Sequence, residues 1–177
     1  ISNGDEDKDE VQRPSQGGTN SSTSVSIKQI DHISYMNGFK DGTFRPNANI
    51  TRAEVAAIIA RVSKDYSNKK HYDKDLGYQD VKPNTWASNY IGYVKNAKII
   101  KGTTKYFRPE SLMTRAEFTT AIVRMLDLEN KKIGTNKFTD ANNKWYTNNV
   151  NILANEGLIN GYPDNTFGGS KYITRAE

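Results

Sequence analysis

The stretch Ile50-Thr51-Arg52-Ala53-Glu54 decides how this chain folds, because it occurs again at 113–117 and 173–177. Each copy, here called a box, has Thr-Arg-Ala-Glu preceded by Ile or Met, and the threonines are 63 and then 60 residues apart. A tetrapeptide repeated at a near-constant period indicates a structural unit that the chain builds three times. Such arrays usually present several copies of one binding surface rather than a single catalytic site.

The box has the pattern of a helix start. Ser/Thr-x-x-Glu before an apolar run predicts a capping box, with Thr51 at the N-cap and Glu54 at the third helical position. Ile50 and Val55 would then form a hydrophobic staple across the first turn. The following apolar residues recur at helical spacing in two copies: Val55, Ile58, Ile59 and Val62, then Phe118, Ala121, Ile122 and Met125.

Capping does not explain the arginine of the box, which is Arg52, Arg115 or Arg175. It stands at the first helical position, where the helix dipole opposes a cation by a few tenths to about 1 kcal/mol. One hypothesis is an anion site made by the arginine and free backbone N–H groups. The alternative is that each arginine pairs with a nearby carboxylate and serves only the fold. The sequence leaves both open.

Composition excludes several classes of protein. The chain has 177 residues and no Cys, which rules out disulfides, thiolate metal sites and a Cys nucleophile. No stretch approaches the length of a membrane-spanning helix, so we expect no membrane span. Residues 1–24 are acidic and rich in Ser, Gly and Thr, which predicts a disordered linker. The remaining residues carry a net charge of +8, which favours an anionic partner, although the charges are interspersed.

A second shared block precedes each of the two later boxes. It begins with an aromatic-x-Asp lead ending in Asp80 or Asp140, continues through Trp86 or Trp145, and predicts helices running to Ile100 and Ile159. In repeat one only Ile27 and Ile30 match this helix, and the lead and the Trp are missing. A loop then opens with Gly38, Gly102 or Gly161 and contains a Phe that we expect to fill the core.

The order of these blocks resembles the S-layer homology (SLH) domain, from about residue 25 to the end of the chain. The resemblance implies a mainly α fold with three helix-loop-helix repeats around a pseudo-threefold axis. The repeats would span 25–77, 78–137 and 138–177, the first without its lead segment and the third without its last helix. It also implies a non-covalent anchor that binds an anionic, typically pyruvylated, secondary cell wall polymer in grooves between neighbouring repeats.

The resemblance assigns these grooves four kinds of residue. They are the box arginines Arg52, Arg115 and Arg175, the loop glycines Gly38, Gly102 and Gly161, the tryptophans Trp86 and Trp145, and the lead aspartates Asp80 and Asp140. Each kind has a structural alternative: packing for the tryptophans, capping for the aspartates and turn geometry for the glycines. Arg61 and Arg124 match each other in the two box helices, and we expect them to be solvated or ion-paired.

The sequence gives no support for an enzyme, a metal site or a cofactor, since His32 and His71 are isolated and no phosphate loop occurs. The expected partner is a secondary cell wall polymer or another peptidoglycan-linked glycan, and not a nucleic acid. We expect a secreted protein at the cell surface, in the cell wall or S-layer. The alternative function is a protein–protein module that mediates S-layer lattice or scaffold contacts. A weaker third is nucleic-acid binding by the basic remainder and its tyrosines.

Overall fold

The computed structural model describes residues 34–177, whose regular structure is helical. Four α-helices follow one another: α1 (Arg52–Val62), α2 (Ser88–Asn96), α3 (Arg115–Met125) and α4 (Thr147–Asn155), with a 3-10 helix at Thr139–Ala141. Between residues 34 and 177 the only β-type pairing consists of isolated bridges, and the mainly α prediction is confirmed. The predicted linker 1–24 and the helix around Ile27 and Ile30 lie outside the described residues.

Helices α1 and α3 begin where the boxes predict. The Thr51 hydroxyl accepts a hydrogen bond from the Glu54 N–H at 3.2 Å, and the Glu54 carboxylate accepts one from the Thr51 N–H at 2.9 Å. Thr114 and Glu117 form the same reciprocal pair at the start of α3. The capping boxes are therefore present at both helix starts.

Helices α2 and α4 end earlier than predicted. Lys98 and Gly157 take the left-handed conformation just after them, with φ of 60° and 71°. The next residue folds back, so that the Ile99 N–H donates to the Val94 carbonyl at 2.9 Å. Ile99 is nevertheless fully buried. The apolar pattern therefore continues past the helix because the chain stays on the core after the helix has ended.

Helices pack in pairs that cross the repeat boundaries. Helix α2 of repeat two packs against α1 of repeat one, and α4 of repeat three packs against α3 of repeat two. Ile59 from α1 and Ile91 and Val94 from α2 belong to one buried apolar cluster. Val123 from α3 and Ile152 from α4 belong to another. Each box helix thus buries its apolar face against the following repeat.

The first residues of the three boxes are joined by a closed cycle of backbone hydrogen bonds. The Ile50 N–H donates to the Ile173 carbonyl at 3.1 Å, the Ile173 N–H to Met113 at 3.0 Å, and the Met113 N–H to Ile50 at 3.0 Å. All three side chains are buried. The three boxes therefore meet at one point, although they are far apart in the chain.

The loop phenylalanine fills the core in two repeats and not in the first. Phe107 and Phe167 are buried, whereas Phe44 is 45% exposed, so the prediction is wrong for Phe44. In the later repeats the lead aromatic covers this ring, with centroid distances of 5.6 Å for both Tyr78–Phe107 and Phe138–Phe167. Repeat one has no matching aromatic in its sequence, which accounts for the exposure of Phe44.

Two features are absent from residues 34–177. None of the helices in this range combines the length and the apolar composition that crossing a lipid bilayer requires. The same range holds no cluster of three or more His, Cys, Asp or Glu side chains arranged to bind a metal ion.

A fragment containing only repeat two, residues 78–137, should be poorly folded. Helix α2 would lose α1 and helix α3 would lose α4, so each would expose its apolar face. Circular dichroism should show weak helicity and no cooperative melting, whereas residues 34–177 should melt in one transition. A sharp transition from the fragment would show that one repeat folds by itself.

Candidate functional site

Each box arginine extends out of its own repeat into the loop of a neighbouring one. Arg52 Nε donates to the Phe107 carbonyl at 2.9 Å, and its Nη2 donates to the Lys101 carbonyl at 3.0 Å. Lys101 directly precedes Gly102, so one guanidinium holds both ends of the loop. The other two box arginines donate to the carbonyls at the matching loop positions. Arg175 donates to Phe44 (3.0 Å) and Asn37 (2.7 Å), and Arg115 donates to Phe167 (3.1 Å) and Asn160 (3.3 Å).

The remaining guanidinium nitrogen faces the glutamate of a neighbouring box. Arg175 Nη1 lies 3.1 Å from Glu54 Oε1, and Arg52 Nη1 lies 3.6 Å from Glu117 Oε1. Arg115 forms the third such ion pair, with Glu177. Burial lowers the pKa of Arg52, but an arginine remains protonated at neutral pH. These contacts agree with the hypothesis that the arginines serve the fold, and a direct contact with ligand stays a prediction.

The backbone N–H groups at the helix starts are already used. The N–H groups of Arg52 and Ala53 donate to the carbonyls of Ser111 and Pro109 at 2.9 and 3.0 Å, and the N–H of Glu54 donates to Thr51. The first three N–H groups of α1 are thus unavailable to an anion. The free N–H groups that the anion-site hypothesis requires are therefore absent at this helix start.

The loop glycines are required by close packing. A Cβ atom on Gly102 would lie 2.6 Å from the Tyr106 carbonyl oxygen, and one on Gly161 would lie 2.3 Å from the Phe138 ring. On Gly38 it would lie 3.1 Å from the Thr43 carbonyl oxygen. Neither of the first two positions can hold a side chain without moving the loop.

The lead aspartates also hold the loops, through the backbone N–H groups. The Asp80 carboxylate accepts hydrogen bonds from the N–H groups of Phe107 and Arg108, at 2.9 and 2.7 Å. Asp140 does the same for Phe167 and Gly168, at 2.7 and 2.8 Å. Each carboxylate therefore satisfies two consecutive backbone donors. The aspartates contact the loop backbone, and they line neither of the two grooves described next.

Both tryptophans are exposed, at 59% for Trp86 and 67% for Trp145. Large aromatic side chains are usually buried, so two exposed indoles at matching positions need an explanation other than burial in the core. Each indole lies at the wall of a groove between repeats. Core packing is therefore wrong for both, whereas packing at an edge stays an alternative, since the Trp145 ring lies edge-on to Tyr146 at 5.3 Å.

Two grooves combine residues from all three repeats, and they are built from matching positions. Groove A, of about 460 Å³, is lined by Arg175, Asn37, Glu54, Arg61 and Trp86, among others. Groove B, of about 230 Å³, has Arg52, Lys101, Glu117, Arg124 and Trp145 at those positions. A cation and an indole therefore share each groove.

A third groove, groove C, of about 230 Å³, contains Arg115, Asn160 and Glu177. Its other lining residues are largely apolar and include Phe118 and Leu158, the latter 56% exposed. Neither tryptophan of the chain lines it. Of the three grooves, only A and B bring an indole near a guanidinium.

Sequence reasoning missed Arg61 and Arg124 as groove residues. Arg124 is ion-paired with Glu129 at 3.0 Å, as expected, and Arg61 donates to the Tyr90 hydroxyl at 3.3 Å. Both nevertheless line a groove. Each lies nine positions after its box arginine in the chain, and this matched register was the available signal.

Comparison with known proteins identifies the repeat. A sequence model of the S-layer homology domain matches residues 34–56, 77–119 and 137–177, one segment for each repeat. The chain belongs to the S-layer homology domain family. The three SLH segments coincide with the three boxes and their loops.

Relatives carry this SLH region within longer proteins. The chain is 34% identical over 152 residues to a cellulosome-anchoring protein of Acetivibrio thermocellus, covering 83% of the chain and 34% of that protein. It is 33% identical over 143 residues to an S-layer protein of Bacillus licheniformis (79% and 16%), and 33% over 159 residues to an amylopullulanase of Thermoanaerobacterium thermosulfurigenes (86% and 8%). The chain thus spans about a third or less of each.

Replacing Arg52 by Ala should destabilise the protein by about 2 to 4 kcal/mol, because the buried Phe107 carbonyl, the partly buried Lys101 carbonyl and Glu117 lose their partner. Arg52→Lys should restore only part of this, since an ammonium group cannot present the same planar set of donors. Urea unfolding followed by circular dichroism measures both. Lys105→Ala, an exposed change in the same loop, is the control and should alter stability little. An unchanged midpoint for Arg52→Ala would contradict the structural role.

Proposed function

We propose that this chain is a non-covalent cell-wall anchor that binds an anionic, pyruvylated secondary cell wall polymer in grooves between SLH repeats. The observation that carries the proposal is the pairing of an exposed indole with arginine side chains in grooves A and B. An indole face packs against the apolar face of a sugar ring, and a guanidinium binds a carboxylate through charge-assisted hydrogen bonds. The two features together suit an acidic glycan.

Within this proposal the residues act in two ways. Trp86 and Trp145 contact the sugar, while Arg61 and Arg124 line the same grooves and donate hydrogen bonds to polar or acidic groups of the polymer. The box arginines Arg52, Arg115 and Arg175 form the floor of a groove, and any contact with ligand uses donors left over from the fold. The loop glycines Gly38, Gly102 and Gly161 and the aspartates Asp80 and Asp140 keep the loops in place.

We further propose that the repeats, 25–77, 78–137 and 138–177, are related by a pseudo-threefold axis. The cycle of hydrogen bonds among Ile50, Met113 and Ile173 supports this arrangement. So does the recurrence of each arginine contact in all three copies. The axis would pass through the centre of the cycle, and the grooves would lie around it.

The proposal places the protein outside the cell, at the cell wall or S-layer, where it tethers an attached protein. The names of the relatives, a cellulosome-anchoring protein and an S-layer protein, support a role at the cell surface. We propose no reaction and no cofactor for this chain. An enzyme such as the amylopullulanase is matched over only 8% of its length, which is consistent with a module joined to a separate catalytic region.

The second candidate function is a protein–protein module in an S-layer lattice. Several large apolar side chains are about half exposed outside grooves A and B, among them Leu158 at 56%, Tyr35 at 51% and Tyr172 at 51%. Such side chains are enriched at protein interfaces. They are dispersed among polar residues in the sequence, which makes this candidate weaker than the glycan anchor.

Replacing either tryptophan by Ala should weaken binding to purified cell-wall sacculi by roughly tenfold, because stacking of an exposed indole on a sugar contributes on the order of 1 kcal/mol or more. Stability should change little, since both indoles are exposed. A sedimentation assay with increasing amounts of sacculi measures the binding. Tyr106→Ala, an exposed aromatic outside grooves A and B, is the matched control.

The same assay separates the two functions. Sacculi from which the wall polymer has been extracted should no longer bind the wild-type protein. Undiminished binding to the extracted sacculi would favour a protein or peptidoglycan partner instead. If both tryptophan variants bound sacculi as tightly as the wild-type protein does, this would count against grooves A and B as the binding sites.

A further inference from the structure

Grooves A and B have the same types of residue at four matching positions, but they differ in charge. The residues that they share in type are a box arginine, a box glutamate, a second arginine on the box helix and a tryptophan. At the position before the loop glycine, groove A has Asn37 and groove B has Lys101. Groove A is also lined by Glu110, whereas Glu117 is the only acid among the residues that line groove B.

These differences leave the two grooves with different net charge. Groove A is lined by two bases and two acids, and groove B by three bases and one acid. Arg124 of groove B pairs with Glu129, whose side chain is 52% exposed, so this is a weak surface pair that an incoming acid can replace. Even with Glu129 counted, groove B stays positive. Within residues 34–177 Lys101 takes part in no ion pair.

The grooves also differ in their apolar lining. Groove A is twice as large and is also lined by Phe39, whose ring lies 4.8 Å from the Arg175 guanidinium. On the box helix, groove A has Ala57 and Ile58 where groove B has Thr120 and Ala121. A larger groove with an exposed indole, more apolar lining on its helix and no net charge suits the apolar face of an uncharged sugar.

We infer that the two grooves divide the polymer between them: groove B selects the sugar that carries the carboxylate, through Lys101 and Arg124, and groove A binds a neutral sugar. This inference rests on the proposed function. In groove A, Glu110 repels a carboxylate. In groove B, Lys101 attracts one. Two grooves of different selectivity then require a polymer with both kinds of sugar, and simultaneous binding raises the overall affinity.

The chain offers a separate probe for each groove, because it contains two Trp residues and each lines one of them. In Trp86→Phe the remaining indole reports on groove B, and in Trp145→Phe it reports on groove A. Phe keeps a ring for stacking while removing the competing fluorescence. The ligands are a methyl hexoside carrying a pyruvate ketal and the same hexoside without the ketal.

Titration of Trp86→Phe should show the acidic hexoside binding groove B roughly tenfold more tightly than the neutral one. In Trp145→Phe the two affinities at groove A should agree within about threefold. Adding Lys101→Asn, which copies Asn37, should remove most of the preference at groove B. Adding Glu110→Gln should raise the affinity of groove A for the acidic hexoside by a few fold, with melting temperatures unchanged.

An equal preference for the acid in both grooves, or a greater one in groove A, would overturn the inference while leaving the anchor function intact. The inference would also be overturned if neither hexoside changed the fluorescence of either indole. In that case the sacculus assay decides the wider question. If binding to sacculi still depends on the tryptophans, the anchor proposal survives, and if it does not, both proposals fail.

Discussion

A guanidinium, buried in two of the three copies, joins each box to a loop of another repeat. For Arg52 the side chain is 5% exposed, and its partners are two loop carbonyls and a carboxylate. A charged group in that position is stable only when its donors are satisfied. The loop must therefore hold its carbonyls toward the arginine, which requires a glycine at its start and, in repeats two and three, an aspartate behind it. The repeats depend on one another through this contact.

The same contact also borders grooves A and B. Each of them lies beside a loop that a box arginine holds, next to the box helix of the repeat to which that loop belongs. The first three backbone donors of the helix α1 are used inside the fold. Side chains around the groove, above all an exposed indole, therefore supply what a ligand could contact. Stability and recognition use different parts of the same repeat.

The shared residues of the repeats do not make the grooves alike. The box arginine, the box glutamate and the loop glycine, which support the fold, are the same in each copy. Positions such as Asn37 and Lys101 contribute a backbone carbonyl to that contact, so their side chains are free to differ. Charge can therefore vary from one groove to the next without cost to the fold. This freedom allows one array to contact chemically different parts of one polymer.

The sequence by itself determined the helix starts, the repeat and its family, since capping and apolar spacing depend on residues within one turn or two of each other. It misplaced the ends of α2 and α4, because residues beyond the helix remain on the core, and it overestimated the burial of Phe44, which has no covering aromatic. Only the tertiary structure decided what the box arginines contact and that Arg61 and Arg124 line grooves. Those facts depend on residues about 50 to 130 positions apart, and local sequence patterns do not specify distances of that kind.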